Sequence, residues 1–107
     1  MIDKLKSVIS RYDELAGLMS QPDAMHDMKT FKQLAREHRA MTDLVEHAKI
    51  YIDTHNQLTE DEEILEGDDL ELKELVKEEI GDLRDSLTAQ EEALKILLIP
   101  KDPDDNK

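Results

Sequence analysis

Apolar residues recur along this chain at alternating spacings of three and four, which is the heptad pattern of packed α-helices. The pattern runs from Ile2 to Met19, from Phe31 to His55 and from Val76 to Leu97. Further apolar residues beside these positions, Leu75 among them, widen each stripe to the width that a helical bundle buries. The pattern predicts three helices, over about residues 2–20, 28–65 and 69–98.

The breaks between the predicted helices carry residues that start or end helices. Pro22 follows the first helix, and Asp27 can cap a second helix that begins near residue 28. Gly67 ends the second helix, and Pro100 cannot continue the third. Because both connections are short, neighbouring helices should run antiparallel. We therefore expect an all-α fold, an antiparallel three-helix bundle or coiled coil in which a short first helix packs on a long hairpin of the second and third.

Length and composition narrow the class of protein. A chain of 107 residues holds at most one domain, which we place at residues 1–99. Cysteine is absent, so disulfides and thiolate metal sites are excluded. No apolar run approaches the ~20 residues of a membrane span, and the N-terminus lacks the apolar core of a signal peptide. These features predict a cytoplasmic chain without a membrane partner.

Charge divides the chain into two unequal halves. Residues 1–50 carry eight acids and eight bases, whereas residues 51–107 carry nineteen acids and six bases, which accounts for the net charge of -13. An acidic half repels nucleic acid and suits a basic protein surface. The alternative is a solvated surface that keeps the protein soluble. The candidate docking residues, here called the acidic tip, lie where the predicted hairpin turns: Glu60, Asp61, Glu62, Glu63, Asp68 and Asp69.

A basic stripe interrupts this acidic character on the second helix. Its members repeat at spacings of three, four and three: Lys29, Lys32, Arg36 and Arg39. Such a stripe can contact RNA phosphate or an acidic protein. It can equally pair with the chain's own acids, since Asp43 lies four residues after Arg39 on the same helical face. Both interpretations stay open.

No motif for catalysis or metal binding is present. The chain has four histidines: His26, His38, His47 and His55. His38 and His55 would lie about 25 Å apart on one helix, so they cannot share an ion. Paired Glu-x-x-His motifs and Gly-rich phosphate loops are both missing. We expect no catalytic residue, metal, cofactor or small-molecule substrate, and we expect His38 to hydrogen-bond the hydroxyl of Tyr12 across the first two helices.

The end of the chain carries a more specific signal. From Leu97 to Lys107 it reads LLIPKDPDDNK, after a long acidic hairpin. This segment resembles the junction at which the first, helical domain of bacterial class 1 peptide chain release factors meets a β-rich body. The opening MIDKLKSVISRYDELAGLMSQPD and the segment FKQLAREH are similar to the same family. Within it, the chain is most similar to the branch that reads the UAA and UAG stop codons.

The resemblance implies a docking domain in translation termination. In the family, the codon-reading Pro-x-Thr motif and the Gly-Gly-Gln loop that promotes peptidyl-tRNA hydrolysis would lie beyond residue 107. Residues 100–107 would then begin a linker to missing downstream domains, and the present chain would be non-catalytic. The implied partners are the ribosome at its stalk base and GTPase-associated region, release factor 3, and the rest of the parent chain.

Two alternatives from other classes remain. A free-standing coiled-coil adaptor that dimerises through an exposed hairpin seam would have an open reading frame that stops after Lys107. A metal-dependent helical enzyme would carry stoichiometric metal. The release-factor interpretation instead requires the reading frame to continue and to encode Gly-Gly-Gln.

Overall fold

Three helices make up most of the chain. The computed structural model describes residues 1–99. Its elements are α1 (Ile2–Met19), a short 3₁₀-helix (Ala24–His26), α2 (Met28–Glu66) and α3 (Leu70–Leu97). Residues 1–99 contain no β-strand. The predicted all-α fold, with a short first helix and two long ones, is confirmed, and the predicted linker at residues 100–107 lies outside the described residues.

Helices α2 and α3 begin at side-chain caps, as local rules predict. Asp27 accepts hydrogen bonds from the backbone N–H and the hydroxyl of Thr30, at 3.2 and 2.6 Å. These bonds lower the pKa of the Asp27 carboxyl, because they favour its charged form. Asp69 caps α3 by accepting from the backbone N–H of Leu72 at 3.1 Å. Each cap satisfies an N–H that the helix itself leaves without a partner.

The first compact unit, residues 1–49, joins α1 to the first part of α2. The Tyr12 ring stacks on the His38 ring with centroids 3.9 Å apart, so the two residues are neighbours as expected. The expected hydrogen bond between them is wrong: the Tyr12 hydroxyl lies 3.2 Å from the Thr42 hydroxyl. Stacking places the imidazole face, rather than a ring nitrogen, against tyrosine. Arg11 of α1 adds an ion pair with Glu37 of α2 at 2.7 Å.

The second compact unit begins at Ile50 and joins the rest of α2 to α3. Its core consists of Leu58, Val76 and Ile80, with partly buried residues packed around them: Ile64, Leu65, Leu83 and Leu87. Polar contacts across the hairpin pair Thr54 with Gln90 and Gln57 with Glu79. Because higher residue numbers on α2 meet lower numbers on α3, the two segments run antiparallel.

Three apolar residues that the sequence pattern assigned to the buried stripes are exposed in the structure: Leu18, Leu75 and Leu97. Leu75 was expected to widen the buried stripe of the third helix, but it is 71% exposed. Consecutive helical residues are separated by about 100° around the axis. Val76 faces the core, and Leu75 is thereby rotated out of it. Among the described residues, none of the helices is both long and apolar enough to cross a membrane.

We expect Leu15→Ala to lower the free energy of unfolding by about 3 kcal/mol, because the fully buried leucine leaves a cavity. Leu18→Ala is the matched control on the same helix. Leu18 is 41% exposed, so its truncation should cost less than about 1 kcal/mol. Urea unfolding followed by circular dichroism measures both changes. Equal losses in the two variants would show that α1 does not bury the stripe described here.

We expect Asp69→Ala to cost about 1 kcal/mol of stability, because it removes the cap of α3. Asp68→Ala removes the same charge from the neighbouring position, which makes no cap hydrogen bond, and should change stability by less than about 0.5 kcal/mol. Thermal unfolding of the two variants side by side makes the comparison. A larger loss for Asp68→Ala would contradict the assignment of the cap.

Candidate functional site

The basic stripe is fully displayed on the surface of the first unit. Its four cations are exposed on α2: Lys29, Lys32, Arg36 and Arg39. Three of them line a groove of about 430 Å³, together with Met28, Phe31 and Ala35. The stripe therefore combines positive charge with an apolar floor. Lys29 lies on the same helix but does not line the groove.

The cations of the basic stripe have no intramolecular counter-ions within residues 1–99. The ion pairs there involve other cations: Arg11, Lys77, Arg84 and Lys95. The suggested pairing of Arg39 with Asp43 is not among them. Unpaired surface cations remain available to an anionic partner, so a contact role for the stripe remains a prediction.

The acidic tip separates into residues with different surroundings. Glu60, Glu62, Glu63 and Asp68 are exposed near the turn between α2 and α3, and Asp69 is exposed but engaged as the helix cap. Within the tip, Glu62 also faces Arg84 of α3, at 3.9 Å. This exposed pair contributes little to stability, since solvent screens it. The exposed acids form a negative surface that can face a partner, and their docking role stays a prediction.

Asp61 does not belong to that exposed surface. Its side chain is 6% exposed and packs between the two helices of the hairpin. One of its oxygens, Oδ2, has no hydrogen-bond partner. Burial raises the pKa of the Asp61 carboxyl; a hydrogen bond that the protonated carboxyl donates to Glu79 and the negative charge of Glu79 raise it further. Glu79 in turn accepts a hydrogen bond from Gln57 at 2.7 Å.

The sequence contained a signal for the burial of Asp61. It lies three residues after Leu58 and four before Leu65, which is the spacing of the buried stripe. Sequence analysis grouped it with its acidic neighbours instead. Burial penalises the charged form of Asp61, and the nearby negative charge of Glu79 penalises it further. The Asp61–Glu79 pair is therefore a structural feature of the hairpin rather than part of a docking surface.

A surface that sequence analysis missed lies at the start of α3. Leu70, Leu72 and Leu75 line a groove of about 730 Å³ with Asp69, Glu71 and Glu74. The leucines are 76%, 42% and 71% exposed. We call these three residues the leucine ridge. Leu70 and Leu75 lie off the spacing of the Val76–Ile80 stripe, whereas Leu72 lies four residues before Val76 and is in line with it. The departure of Leu70 and Leu75 was the available signal.

Metal-binding geometry is not formed in the described part of the chain. Between residues 1 and 99, no group of three or more His, Asp or Glu side chains is placed to hold a metal ion. His38 stacks on Tyr12, and the His47 ring nitrogen Nδ1 lies 2.8 Å from the Asp43 carbonyl oxygen. The candidate surfaces for function are the basic stripe, the acidic tip and the leucine ridge.

Comparison with known proteins decides the family. A family model described as the PCRF domain matches residues 8–107. The chain belongs to the PCRF domain family. This PCRF domain is also similar, over its whole length, to proteins named peptide chain release factor 1, which confirms the resemblance noted in the sequence.

Three such relatives illustrate the similarity of this PCRF domain. The protein from Helicobacter hepaticus is 39% identical over 107 residues, and the one from Listeria monocytogenes is 43% identical over 108 residues; each alignment covers 100% of this chain and 30% of the relative. The protein from Sulfurovum is 41% identical over 105 residues, or 98% of this chain and 29% of the relative. The chain thus spans less than a third of the length of these relatives. No solved structure matches it.

We expect Asp61→Asn to stabilise this PCRF domain at neutral pH. Because the pKa of Asp61 is raised in the folded state, its contribution to stability is fully present below its ordinary pKa of 3.8 and is lost as the pH rises through the folded pKa. Asparagine carries no charge and can donate its amide N–H to Glu79. The variant should raise the melting temperature at pH 7 by on the order of 4 °C. It should also reduce the loss of stability that the unmodified chain undergoes above about pH 4.

Glu63→Gln is the control for this prediction, because it removes the same charge from an exposed neighbouring position. Its melting temperature should follow that of the unmodified chain at every pH. Thermal unfolding across the pH range, read by circular dichroism, makes the measurement. A lower melting temperature for Asp61→Asn at pH 7 would disprove the destabilising role of the buried carboxyl.

Proposed function

We propose that this chain is the N-terminal docking domain of a bacterial peptide chain release factor and acts in translation termination. The observation that supports this most strongly is the similarity of the entire chain to about a third of each peptide chain release factor 1 relative. In this role the chain helps to hold a larger factor on the ribosome in the cytoplasm. Reading of UAA and UAG and hydrolysis of peptidyl-tRNA belong to the remainder of the parent protein.

A non-catalytic role fits the placement of the carboxylates. Catalytic acids need an enclosed site that a substrate can reach and that perturbs their pKa values. The exposed acids of the acidic tip face water. Asp61 is buried inside the hairpin, beside the partly exposed Glu79, and is not open to a substrate. The chain therefore contributes binding surfaces to the parent factor.

The charges divide the contacts between two kinds of partner. The acidic tip suits a basic ribosomal protein at the stalk base, within the GTPase-associated region, and is the part of the domain we assign to that contact. The unpaired cations of the basic stripe suit ribosomal RNA phosphate or an acidic surface of the parent chain. Release factor 3 is a further partner implied by the family resemblance.

Co-sedimentation with bacterial large ribosomal subunits tests the proposal. We expect the chain to pellet with the subunits at low salt and to be released as salt rises, because the contact is between exposed charges. Reversal of three exposed tip acids, Glu60→Lys with Glu62→Lys and Glu63→Lys, should weaken retention by about 10-fold. Subunits stripped of their stalk-base proteins should retain the unmodified chain only as weakly as intact subunits retain the triple variant.

The matched control reverses three exposed acids away from the tip: Asp53→Lys, Asp82→Lys and Asp85→Lys. It changes the net charge by the same amount and should retain most of the binding. Equal losses in the two triple variants would show that net charge, and not the acidic tip, attracts the chain. Failure of the unmodified chain to pellet would overturn the docking proposal.

A further inference from the structure

We propose that the leucine ridge is a docking groove for a basic amphipathic helix of a partner protein. The inference deepens the proposed docking role of the acidic tip and rests on it. It assigns slow dissociation of the partner to three leucines rather than to the acids. The ridge consists of Leu70, Leu72 and Leu75, as defined above.

The leucines of the ridge are exposed rather than packed into the core. Within residues 1–99, seven of the nine buried apolar residues lie outside α1, and those of α3 are Val76, Ile80 and Leu94. The three leucines of the ridge occupy the first two turns of α3 and take no part in that buried set. A cluster of large apolar side chains left in water is typical of a surface that another molecule covers.

The leucines of the ridge share one open groove. All three leucines line one open groove of about 730 Å³ along the start of α3. A groove of this kind receives apolar anchors that recur at i, i+3, i+4 and i+7 on one face of a helix. The ridge therefore fits an amphipathic helix better than an extended polar chain, whose backbone hydrogen-bonding groups would face leucine side chains without partners.

The charges beside the groove favour a positively charged partner. The groove is bordered by three carboxylates: Asp69, Glu71 and Glu74. Asp69 is held in place by its cap hydrogen bond, and Lys77 lies 2.7 Å from Glu74, which lowers the pKa of that carboxyl and keeps it charged. Lysine or arginine beside the apolar face of the partner would meet these fixed negative charges.

The same charges disfavour other occupants. An RNA strand or an anionic membrane would bring phosphate against three carboxylates. A second copy docked symmetrically through the ridge would place identical acids opposite each other, because a two-fold interface joins the same patch of both copies. A basic helix is the occupant for which both the apolar and the charged parts of the groove are complementary.

The test uses the full chain and a labelled synthetic helix as the probe. The peptide, about 18 residues long, carries leucines on one face and lysines on the other, and fluorescence anisotropy measures its binding. A peptide of identical composition in scrambled order is the first control. We expect the amphipathic peptide to bind about 10-fold more tightly than the scrambled one.

Variants of the chain locate the binding site. Leu75→Ser and Leu70→Ser should each weaken binding of the amphipathic peptide by about 10-fold. Ile96→Ser is the matched control, since Ile96 is 70% exposed on the same helix but does not line the groove. The combined change Glu71→Gln with Glu74→Gln should weaken binding and reduce its dependence on salt. Circular dichroism should show the same melting temperature for all of these exposed-site variants.

Several outcomes would overturn the inference. Equal binding of the scrambled peptide would mean that charge alone attracts the probe, and no binding of either peptide would remove the groove from consideration. A dimer in sedimentation that Leu75→Ser abolishes would make a second copy the occupant, and ridge-dependent binding of single-stranded RNA would make it a nucleic acid. Equal effects of Leu75→Ser and Ile96→Ser would also contradict it.

The two proposals fail in distinguishable ways. Large-subunit binding that needs the tip acids, combined with a ridge that binds no peptide, would contradict only the leucine groove. Peptide binding through the ridge by a chain that never pellets with large subunits would contradict only ribosomal docking. In that case the groove would still bind a basic amphipathic helix, but its partner would not be a ribosomal protein.

Discussion

In both compact units, the helices remove only a narrow stripe of apolar side chains from water. In α1 the fully buried leucines are Leu5 and Leu15, and in the hairpin of the second unit the core is Leu58, Val76 and Ile80. The two grooves described above, of about 430 and 730 Å³, are both open to solvent on the surfaces of α2 and α3. Within residues 1–99, the chemistry that a partner can reach is therefore on the outer faces of the helices.

Because the buried stripe is narrow, one polar residue within it has large consequences. Asp61 takes a place in the hairpin that the spacing would assign to an apolar side chain, and one of its oxygens lacks a hydrogen-bond partner. Its neighbour Glu63, two residues on, is exposed, and Asp69 serves as a cap. Three carboxylates close in sequence thus have three different roles, and their environments, not their residue type, set those roles.

Sequence alone predicted the features that follow from local rules. The three helices follow from the apolar period, and the cap at Asp27 follows from its ability to satisfy a free N–H group. The sequence did not predict which edge of a wide apolar stripe turns inward. Burial of Asp61 and exposure of Leu75 both depend on the rotation of each helix against its neighbour, which tertiary packing sets. For the same reason the leucine ridge emerged only from the structure.

In a contact that combines the acidic tip with the leucine ridge, the acids and the leucines would have different effects on the rates of association and dissociation. Exposed carboxylates act over a distance of about 10 Å and raise the rate at which a basic partner arrives, but solvent screening limits how strongly they hold it. Leucines act only on contact and, by leaving water, slow dissociation. A contact that uses both parts in moderate amounts would form quickly and still dissociate. Three exposed leucines bordered by acids would give such a contact, whereas a larger apolar surface would bind for longer and select its partner less well.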